Sequence, residues 1–126
     1  MFLLGDTLIR IKNAKLAFKE EAEVSFSNLV VSLVEVLKEI GFIKDFKIYK
    51  IGAFKKIKVY LDEGNLDMVN VDIVSKPGRR VYMTSAQIKK RKRSIGNYLI
   101  STSKGVLTDK KAIKLNQGGE VLCRVW

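Results

Sequence analysis

The sequence predicts an α+β fold. We expect a small α/β N-terminal domain, with two helices packed on a short sheet that includes a hairpin, and then a mostly β C-terminal domain with a short helix. Three observations support this prediction. Apolar residues recur every three or four positions in two segments before residue 41. Period-two alternation follows between residues 46 and 61. Beyond it, short alternating runs are separated by turn-forming glycine and proline.

The first helix is predicted within residues 3–17, where apolar residues at intervals of three and four line one face. Asp6 lies where an acidic residue favours a helix N-terminus. The apolar face consists of Leu4, Leu8, Ile11 and Ala14. The opposite face carries Arg10, Lys12 and Asn13.

A short extended segment at residues 23–26 precedes the second helix. Ser27 can cap this helix and Gly41 can end it. The apolar stripe between them is broad, so we expect the helix to be mostly buried. The stripe consists of Leu29, Val30, Leu33, Val34, Leu37 and Ile40.

Two period-two segments, 46–51 and 56–61, flank Gly52-Ala53 and predict a hairpin with one face in solvent. A turn-rich stretch at residues 62–65 follows. It coincides roughly with a change in charge, so we place a domain boundary near residue 66. The prediction is an N-terminal domain of residues 1–65 and a C-terminal domain of residues 66–126.

The second half is predicted to be mostly strands. Residues 69–73 and 79–83 alternate around the turn Lys76-Pro77-Gly78, which contains the one proline of the chain. The other predicted elements are a strand at 98–100, a polar loop at 101–105, a short helix capped by Thr108 that contains Ala112 and Leu115, a turn at 118–119 and a closing strand at 121–126.

Composition restricts the possible functions. The 126 residues include no histidine and one cysteine, so there is no imidazole base, no histidine ligand for zinc and no disulfide. The carboxylates lie in polar segments, with no apolar pocket to raise a pKa. We therefore expect no enzyme, no metal, no cofactor and no small-molecule substrate. Apolar runs are too short for a membrane span or a signal peptide, which favours a reducing, soluble compartment.

The positive charge is unevenly distributed. Residues 1–74 hold 11 Lys and Arg against 11 Asp and Glu, whereas residues 75–126 hold 13 against two. The net charge of +11 therefore lies in the last 52 residues. Such a field attracts a polyanion, because each neutralised phosphate releases counterions. Nucleic acid is the leading partner and an acidic membrane the second, while a basic surface that serves only solubility is the alternative.

The polar segment Ser101-Thr102-Ser103-Lys104-Gly105 is the first candidate site. Hydroxyls donate to phosphate and base acceptors, Lys104 supplies charge, and Gly105 permits close backbone approach. These groups suit the wide minor groove of RNA. The alternative is an ordinary polar hairpin loop.

A second candidate comprises Lys76, Arg79, Arg80 and Tyr82, which combine cations for phosphate with a ring for base stacking. A half-buried Tyr82 beside solvated arginines is an equally good interpretation. The basic run consists of Lys89, Lys90, Arg91, Lys92 and Arg93, and it would suit phosphate tracking, a solvated helix or a nuclear-import signal.

The segment Gly118-Gly119-Glu120 has two interpretations. The glycines either form a turn, or bring backbone amides close to a ligand while Glu120 accepts from a base amine. Cys123 alternates with valines and is interpreted as a small core residue.

The segments KPGRRVY (76–82), STSKGVLTD (101–109) and GGEVLCRVW (118–126) resemble those of the small-subunit ribosomal protein eight family. DTLIRIKNA (6–14) and IGFI (40–43) resemble its first helix and the end of its second. Order and spacing match over nearly the whole chain. Departures lie between Tyr82 and Ser101, where Ile88-Lys89 replaces a usual Ile-Pro pair and Ser94-Ile95-Gly96 a Gly-x-Gly run.

The resemblance implies a primary RNA-binding protein that binds a helix of the central domain of small-subunit ribosomal RNA and helps assemble the platform. It also implies contacts with neighbouring ribosomal proteins and binding of its own operon messenger. Ser101, Thr102, Ser103, Tyr82 and Glu120 would contact the irregular RNA core. Weaker contacts are expected from Arg10, Lys12, Asn13 and Lys56.

Two other functions stay open at this point. A basic DNA-binding or chromatin protein would prefer a duplex and would tolerate changes in the serine loop. An enzyme would need a polarised nucleophile or a metal. The expected location is a cytoplasmic ribosome, with a mitochondrial or plastid ribosome as the alternative.

Overall fold

The structure is a computed structural model, which describes residues 3–62, 68–90 and 96–126. The chain divides into two compact units, one extending to Asn70 and the other beginning at Val71. The boundary predicted near residue 66 lies outside the described residues, as do Arg91, Lys92 and Arg93. The predicted α+β class is confirmed, because each unit combines helices with an antiparallel sheet.

The helices of the N-terminal unit are α1 (Leu3–Leu16) and α2 (Asn28–Ile40). The four apolar residues predicted for α1 are buried. The Ser27 hydroxyl accepts a hydrogen bond from the Val30 N–H at 3.1 Å, and Gly41, with φ of 87°, ends α2 as predicted. Leu29 was expected in the buried stripe, and that prediction is wrong. Its side chain is 42% exposed although Val30, in the same turn, is 1% exposed, so Leu29 lies outside the buried face of α2.

Three antiparallel strands complete this unit: β1 (Glu21–Ser25), β2 (Asp45–Ile51) and β3 (Phe54–Tyr60), in the order β1-β3-β2. The predicted hairpin and the extended segment before α2 are confirmed. Ile57 and Val59 are fully buried, whereas Lys56 and Lys58, which alternate with them, are partly exposed. One face of β3 is therefore buried and the other is in contact with solvent.

Lys15, near the end of α1, is a buried cation with a 7% exposed surface. Its Nζ donates to the carbonyl of Phe42 at 2.8 Å and to the carbonyl of Met68. The ammonium also lies 4.1 Å from the centroid of the Phe42 ring. A charge removed from water needs such partners. Lys15 therefore ties α1 to the segment after α2 and to the chain at residue 68.

The C-terminal unit contains five antiparallel strands and two short helices among the described residues. They are β4 (Val71–Ile73), β5 (Tyr82–Met83), α3 (Ser85–Lys90), β6 (Asn97–Thr102), β7 (Gly105–Thr108), α4 (Asp109–Lys114) and β8 (Gly119–Val125). The sheet runs β4-β8-β6-β7, and β5 also pairs with β8. The last strand in the chain is therefore central in the sheet.

The strand predicted at 79–83 is shorter than expected. Lys76 and Arg79 exchange backbone hydrogen bonds of 3.0 and 2.9 Å across Pro77-Gly78, so this stretch forms its own tight turn. The N–H of Val81 then bonds to the Ser75 hydroxyl at 3.0 Å instead of to a strand. Regular pairing begins only at Tyr82.

The core between the C-terminal sheet and its helices consists of Ile88, Ile100, Leu107, Ala112 and Val121. The predicted cap is confirmed, since the Thr108 hydroxyl accepts from the Lys111 N–H at 3.2 Å. The alternation predicted for β8 is broken by a bulge. Leu99 pairs with Cys123 and Ile100 with Val121, so Leu122 is left between the pairs and is also buried.

Cys123 is fully buried, as expected, and burial, with a smaller effect of Asp72, raises the pKa of its thiol to about 12. We expect the native thiol to resist alkylation by iodoacetamide at pH 8. The thiol has a pKa near 9 in the unfolded chain, and its contribution to the free energy of unfolding is fully present below that pH. This contribution is lost as the pH rises from 9 toward 12. Urea denaturation at several pH values between 7 and 11 should show this loss as a fall in the free energy of unfolding. The denatured protein is the labelling control, and equal labelling rates would contradict the assignment.

No helix among the described residues is long and apolar enough to cross a membrane.

Candidate nucleic-acid interface

Three strands of the C-terminal sheet bring Tyr82, Glu120 and Ser101 side by side. Glu120 on β8 pairs with Tyr82 on β5 and with Ser101 on β6. Directly opposed residues of antiparallel strands present their side chains on the same face. Tyr82 is 67% exposed, which excludes the half-buried interpretation. A ring, a carboxylate and a hydroxyl from distant parts of the sequence thus form one cross-strand row.

The predicted loop at 101–105 is a tighter structure than expected. Ser101 and Thr102 belong to β6 and Gly105 begins β7, so Ser103-Lys104 is a two-residue turn. The Thr102 hydroxyl accepts from the Lys104 N–H at 3.1 Å and donates to the Gly105 carbonyl at 2.9 Å. Both hydrogen bonds of the Thr102 hydroxyl are therefore made within the turn. Gly105 has φ of 103°, a conformation that favours glycine.

The two serine hydroxyls differ in their partners. Ser103 Oγ donates to Gln117 Oε1 at 3.2 Å, and both groups lie at the surface. Ser101 has no side-chain hydrogen bond within the residues that the structure describes. Both hydroxyls keep lone pairs for an incoming ligand, whereas that of Thr102 shapes the turn.

Gly118 and Gly119 are required by the packing of neighbouring backbone. A Cβ on Gly119 would lie 2.0 Å from the carbonyl oxygen of Ser101, and one on Gly118 would lie 2.6 Å from that of Met83. The absence of side chains thus lets β8 enter the sheet between β5 and β6. The turn predicted at 118–119 is therefore wrong, because Gly119 begins β8 and both glycines are needed for close backbone packing.

The cations around the cross-strand row differ in whether they form ion pairs within the protein. Arg80 forms an ion pair with Glu120, with 3.1 Å between Nη1 and Oε2, and this pair explains an acidic residue within a basic surface. Lys76, Arg79 and Lys104 are exposed, and none of them makes an ion pair to a described residue. These three cations remain available to phosphates.

The helices of this unit extend the basic surface. Lys89 and Lys90 are exposed on α3. On α4, Lys110, Lys111 and Lys114 are also exposed, although no sequence pattern singled them out as candidates. The acidic residue of α4, Asp109, is 6% exposed, and its Oδ1 accepts the Lys110 N–H at 2.9 Å.

Two further polar residues border the site. Gln117 is the partner of Ser103, and no local pattern would have revealed it. Gln87 is held by a capping box at the start of α3, where the Thr84 N–H donates to Gln87 Oε1 at 2.9 Å and the Gln87 N–H to Thr84 Oγ1 at 3.2 Å. The Thr-x-x-Gln spacing is a sequence signal that could have found this arrangement.

The N-terminal candidates are Arg10, Lys12 and Asn13 on α1 and Lys56 on β3. Arg10 pairs with Asp6 at 3.0 Å and Lys56 pairs with Glu23 at 3.2 Å. Arg10, Asn13 and Glu23 line one cleft between α1 and β1. Carboxylates therefore offset two of these cations, which supports at most weak attraction for a polyanion.

Within the described ranges, no group of three or more His, Cys, Asp or Glu residues could hold a metal ion.

Comparisons with known proteins give one family over nearly the whole chain. The family model described as "Ribosomal protein S8" matches residues 3–126. The small ribosomal subunit protein uS8 of Kosmotoga olearia is 44% identical over 129 residues, which cover 98% of this chain and 96% of the relative. The uS8 proteins of Citrifermentans bemidjiense and Helicobacter pylori are 43% and 39% identical, each over 98% of this chain and over 96% and 97% of the relative.

Proposed function

Since the chain belongs to the ribosomal protein S8 family, we propose that it binds the RNA of the small ribosomal subunit through the cross-strand row and the cations around it. Membership of this family makes the chain a structural ribosomal protein of the small subunit, and not an enzyme. The proposal therefore concerns which RNA it binds and by which residues.

The proposed target is a helix of the central domain of small-subunit ribosomal RNA, and binding there would help to assemble the platform. A regular RNA duplex offers mainly shape and backbone, whereas an irregular helix also exposes base edges. Hydroxyls, a ring and a carboxylate in one row suit such a mixed surface, because they supply donors, acceptors and a stacking face together.

The single observation that carries this proposal is the pairing of Glu120 with Tyr82 on one side and Ser101 on the other. The side chains proposed to contact RNA are those of Ser101, Ser103, Lys104, Tyr82, Arg79, Arg80, Lys76 and Glu120. Thr102, Gly105, Gly118 and Gly119 belong to the proposed RNA-binding site through their backbone, which holds these side chains in place. Weaker contacts are proposed for Arg10, Lys12, Asn13, Lys56, Lys89, Lys90, Arg91, Lys92 and Arg93.

The proposed partners also include neighbouring small-subunit proteins and the messenger of its own operon, which would carry a mimic of the ribosomal site. The proposed location is a ribosome in the bacterial cytoplasm, which the bacterial relatives support, with an organellar ribosome as the alternative.

The double substitution Ser101→Ala/Ser103→Ala tests the proposed function. We expect it to weaken binding to central-domain RNA by about 2 kcal/mol or more, because two hydroxyls that would face RNA donors and acceptors are lost. The salt dependence of the binding constant should stay unchanged, because no cation is removed. Filter binding or fluorescence anisotropy over a salt series measures both quantities.

Ser25→Ala/Ser32→Ala is the matched control, because it removes two serine hydroxyls from β1 and α2 of the N-terminal unit. A perfect RNA duplex and a DNA duplex serve as competitors. If both duplexes compete as well as the central-domain RNA, and the Ser101/Ser103 variant binds like wild type, the chain is a general polyanion binder and the proposed site is wrong.

A further inference from the structure

A shallow cleft of about 350 Å³ lies between β5 and α3. Val81, Tyr82 and Met83 line it from the strand, and Gln87 and Lys90 line it from the helix. Its surface is mostly apolar, with a few polar groups at defined places, and its volume is within the range of small-ligand sites. The cleft shares Tyr82 with the cross-strand row, so a ligand on the row would extend next to it.

The capping box fixes the carboxamide of Gln87. Oε1 accepts the Thr84 N–H at 2.9 Å, and the Gln87 backbone N–H is bound to Thr84 Oγ1. With one end of the amide held, the orientation of its Nε2 group is set as well. Within the described residues Nε2 has no protein acceptor. Gln87 therefore presents two N–H donors at the wall of the cleft.

The outer edge of β5 supplies a second set of polar groups. The Val81 carbonyl accepts from the Val121 N–H at 2.8 Å, and Met83 pairs with Gly119, so the Val81 carbonyl and the Met83 backbone face β8. In an antiparallel strand the residue between them turns its N–H and C=O the other way. Tyr82 thus offers one backbone donor and one backbone acceptor on the side away from β8.

We propose that this cleft binds one unpaired nucleobase of the RNA, whose edge is hydrogen-bonded by Gln87 Nε2 and by the outward backbone groups of Tyr82. The exposed ammonium of Lys90 would contact the phosphate of the same nucleotide. This inference rests on the proposed function and extends it, because it assigns a base-reading role to a residue outside the cross-strand row.

A nucleobase fits the cleft better than a peptide strand does. The regular part of β5 is two residues long, so an added strand would gain very few backbone hydrogen bonds. A base needs two or three hydrogen bonds on one edge and apolar contact on its faces. The cleft provides those groups, and Lys90 adds the positive charge that a nucleotide requires.

Gln87→Glu is the decisive substitution. A glutamate keeps the acceptor for the Thr84 N–H, so the capping box and the thermal unfolding midpoint should be unchanged. The two side-chain donors are lost, and a carboxylate faces the RNA instead. We expect the affinity for central-domain RNA to fall about tenfold or more.

A cycle with modified RNA shows whether the loss comes from a base. Unpaired positions of the irregular helix are replaced one at a time by an abasic riboside, and each RNA is titrated with wild type and with Gln87→Glu. We expect the loss of affinity to be smallest with one abasic RNA, because the base that Gln87 contacts is missing and only the repulsion between the new carboxylate and the phosphates remains. A variant that loses the same factor with every RNA, or loses nothing, overturns the inference.

The outcomes separate this inference from the proposed function. If the Ser101/Ser103 variant loses affinity while Gln87→Glu does not, the inference of base binding in the cleft is wrong and RNA binding by the cross-strand row is supported. If wild type does not prefer central-domain RNA, both are wrong. Lys90→Gln should reduce the slope of log binding constant against log salt concentration by about one, because one phosphate contact is lost. The same reduction is expected with the abasic RNA, because that RNA retains the phosphate. Competition by excess adenosine or uridine 5′-monophosphate would indicate a mononucleotide site and overturn the RNA assignment.

Discussion

Gly119→Ala is expected to destabilise the protein by about 3 kcal/mol and to abolish specific RNA binding. The added Cβ would lie 2.0 Å from the carbonyl oxygen of Ser101 and 2.9 Å from its carbonyl carbon. Both are backbone atoms of the paired strand, so β6 and β8 must separate at this point. Because Ser101 and Glu120 adjoin it, the cross-strand row would be lost together with the pairing. Urea denaturation measures the first effect and RNA titration the second.

Gly78→Ala is the control for this substitution. Gly78 has φ of 83°. Apart from its two chain neighbours, no described residue has an atom within 4 Å of the position that an added Cβ would take, so we expect only the conformational cost of about 1 kcal/mol. RNA binding should persist, because the cross-strand row is untouched. A Gly119→Ala protein that is as stable as Gly78→Ala would show that the close approach of β8 to β6 is not tight.

Lys15→Met is expected to lower the free energy of unfolding by about 3 kcal/mol. Methionine has a similar length and suits an apolar site, but it cannot donate to the carbonyls of Phe42 and Met68. These acceptors would lose a charged donor, and the cation–π contact with the Phe42 ring would also disappear. Urea denaturation of the purified variant measures the change.

Lys19→Met is the matched control, because Lys19 is exposed and lies just beyond the same helix. It should change the stability by less than about 0.5 kcal/mol. A Lys15→Met protein that unfolds at the same urea concentration as this control would contradict a stabilising role for the buried ammonium.

Much of the N-terminal unit could be predicted because its signals are local. The helical spacing of Leu4, Leu8 and Ile11 and the cap at Ser27 depend on residues close in sequence, and α1 and α2 follow them. The hairpin is equally local. Leu29 is the exception, since hydropathy alone does not tell whether an apolar residue next to a buried one belongs to the buried face.

The C-terminal unit was harder to predict because its strands are defined by distant partners. Ser101 and Thr102 have the composition of a loop, yet they continue β6 because Glu120 and Gly105 pair with them. Conversely, Arg79 alternates like a strand residue but forms a tight turn with Lys76. Local pattern cannot indicate either pairing.

The candidate site shows the same difference between local signals, which the sequence displays, and distant pairing, which it does not. Tyr82, Ser101 and Glu120 were selected for their chemistry, but that they form one row depends on strand register, which the sequence does not display. No local pattern distinguishes Lys15 from the other lysines, and its burial depends on Phe42 and Met68, which are remote in the chain.

The central position of β8 in the sheet determines when the candidate site forms during folding. Tyr82 and Ser101 are synthesised first, but each is joined to the other only through Glu120 on β8. Until that strand is made and inserted, β4, β5 and β6 have no common neighbour. Pairing over such distances closes long loops and is a slow, late step of folding. RNA recognition through the proposed cross-strand row therefore requires β8 to be made and inserted into the sheet.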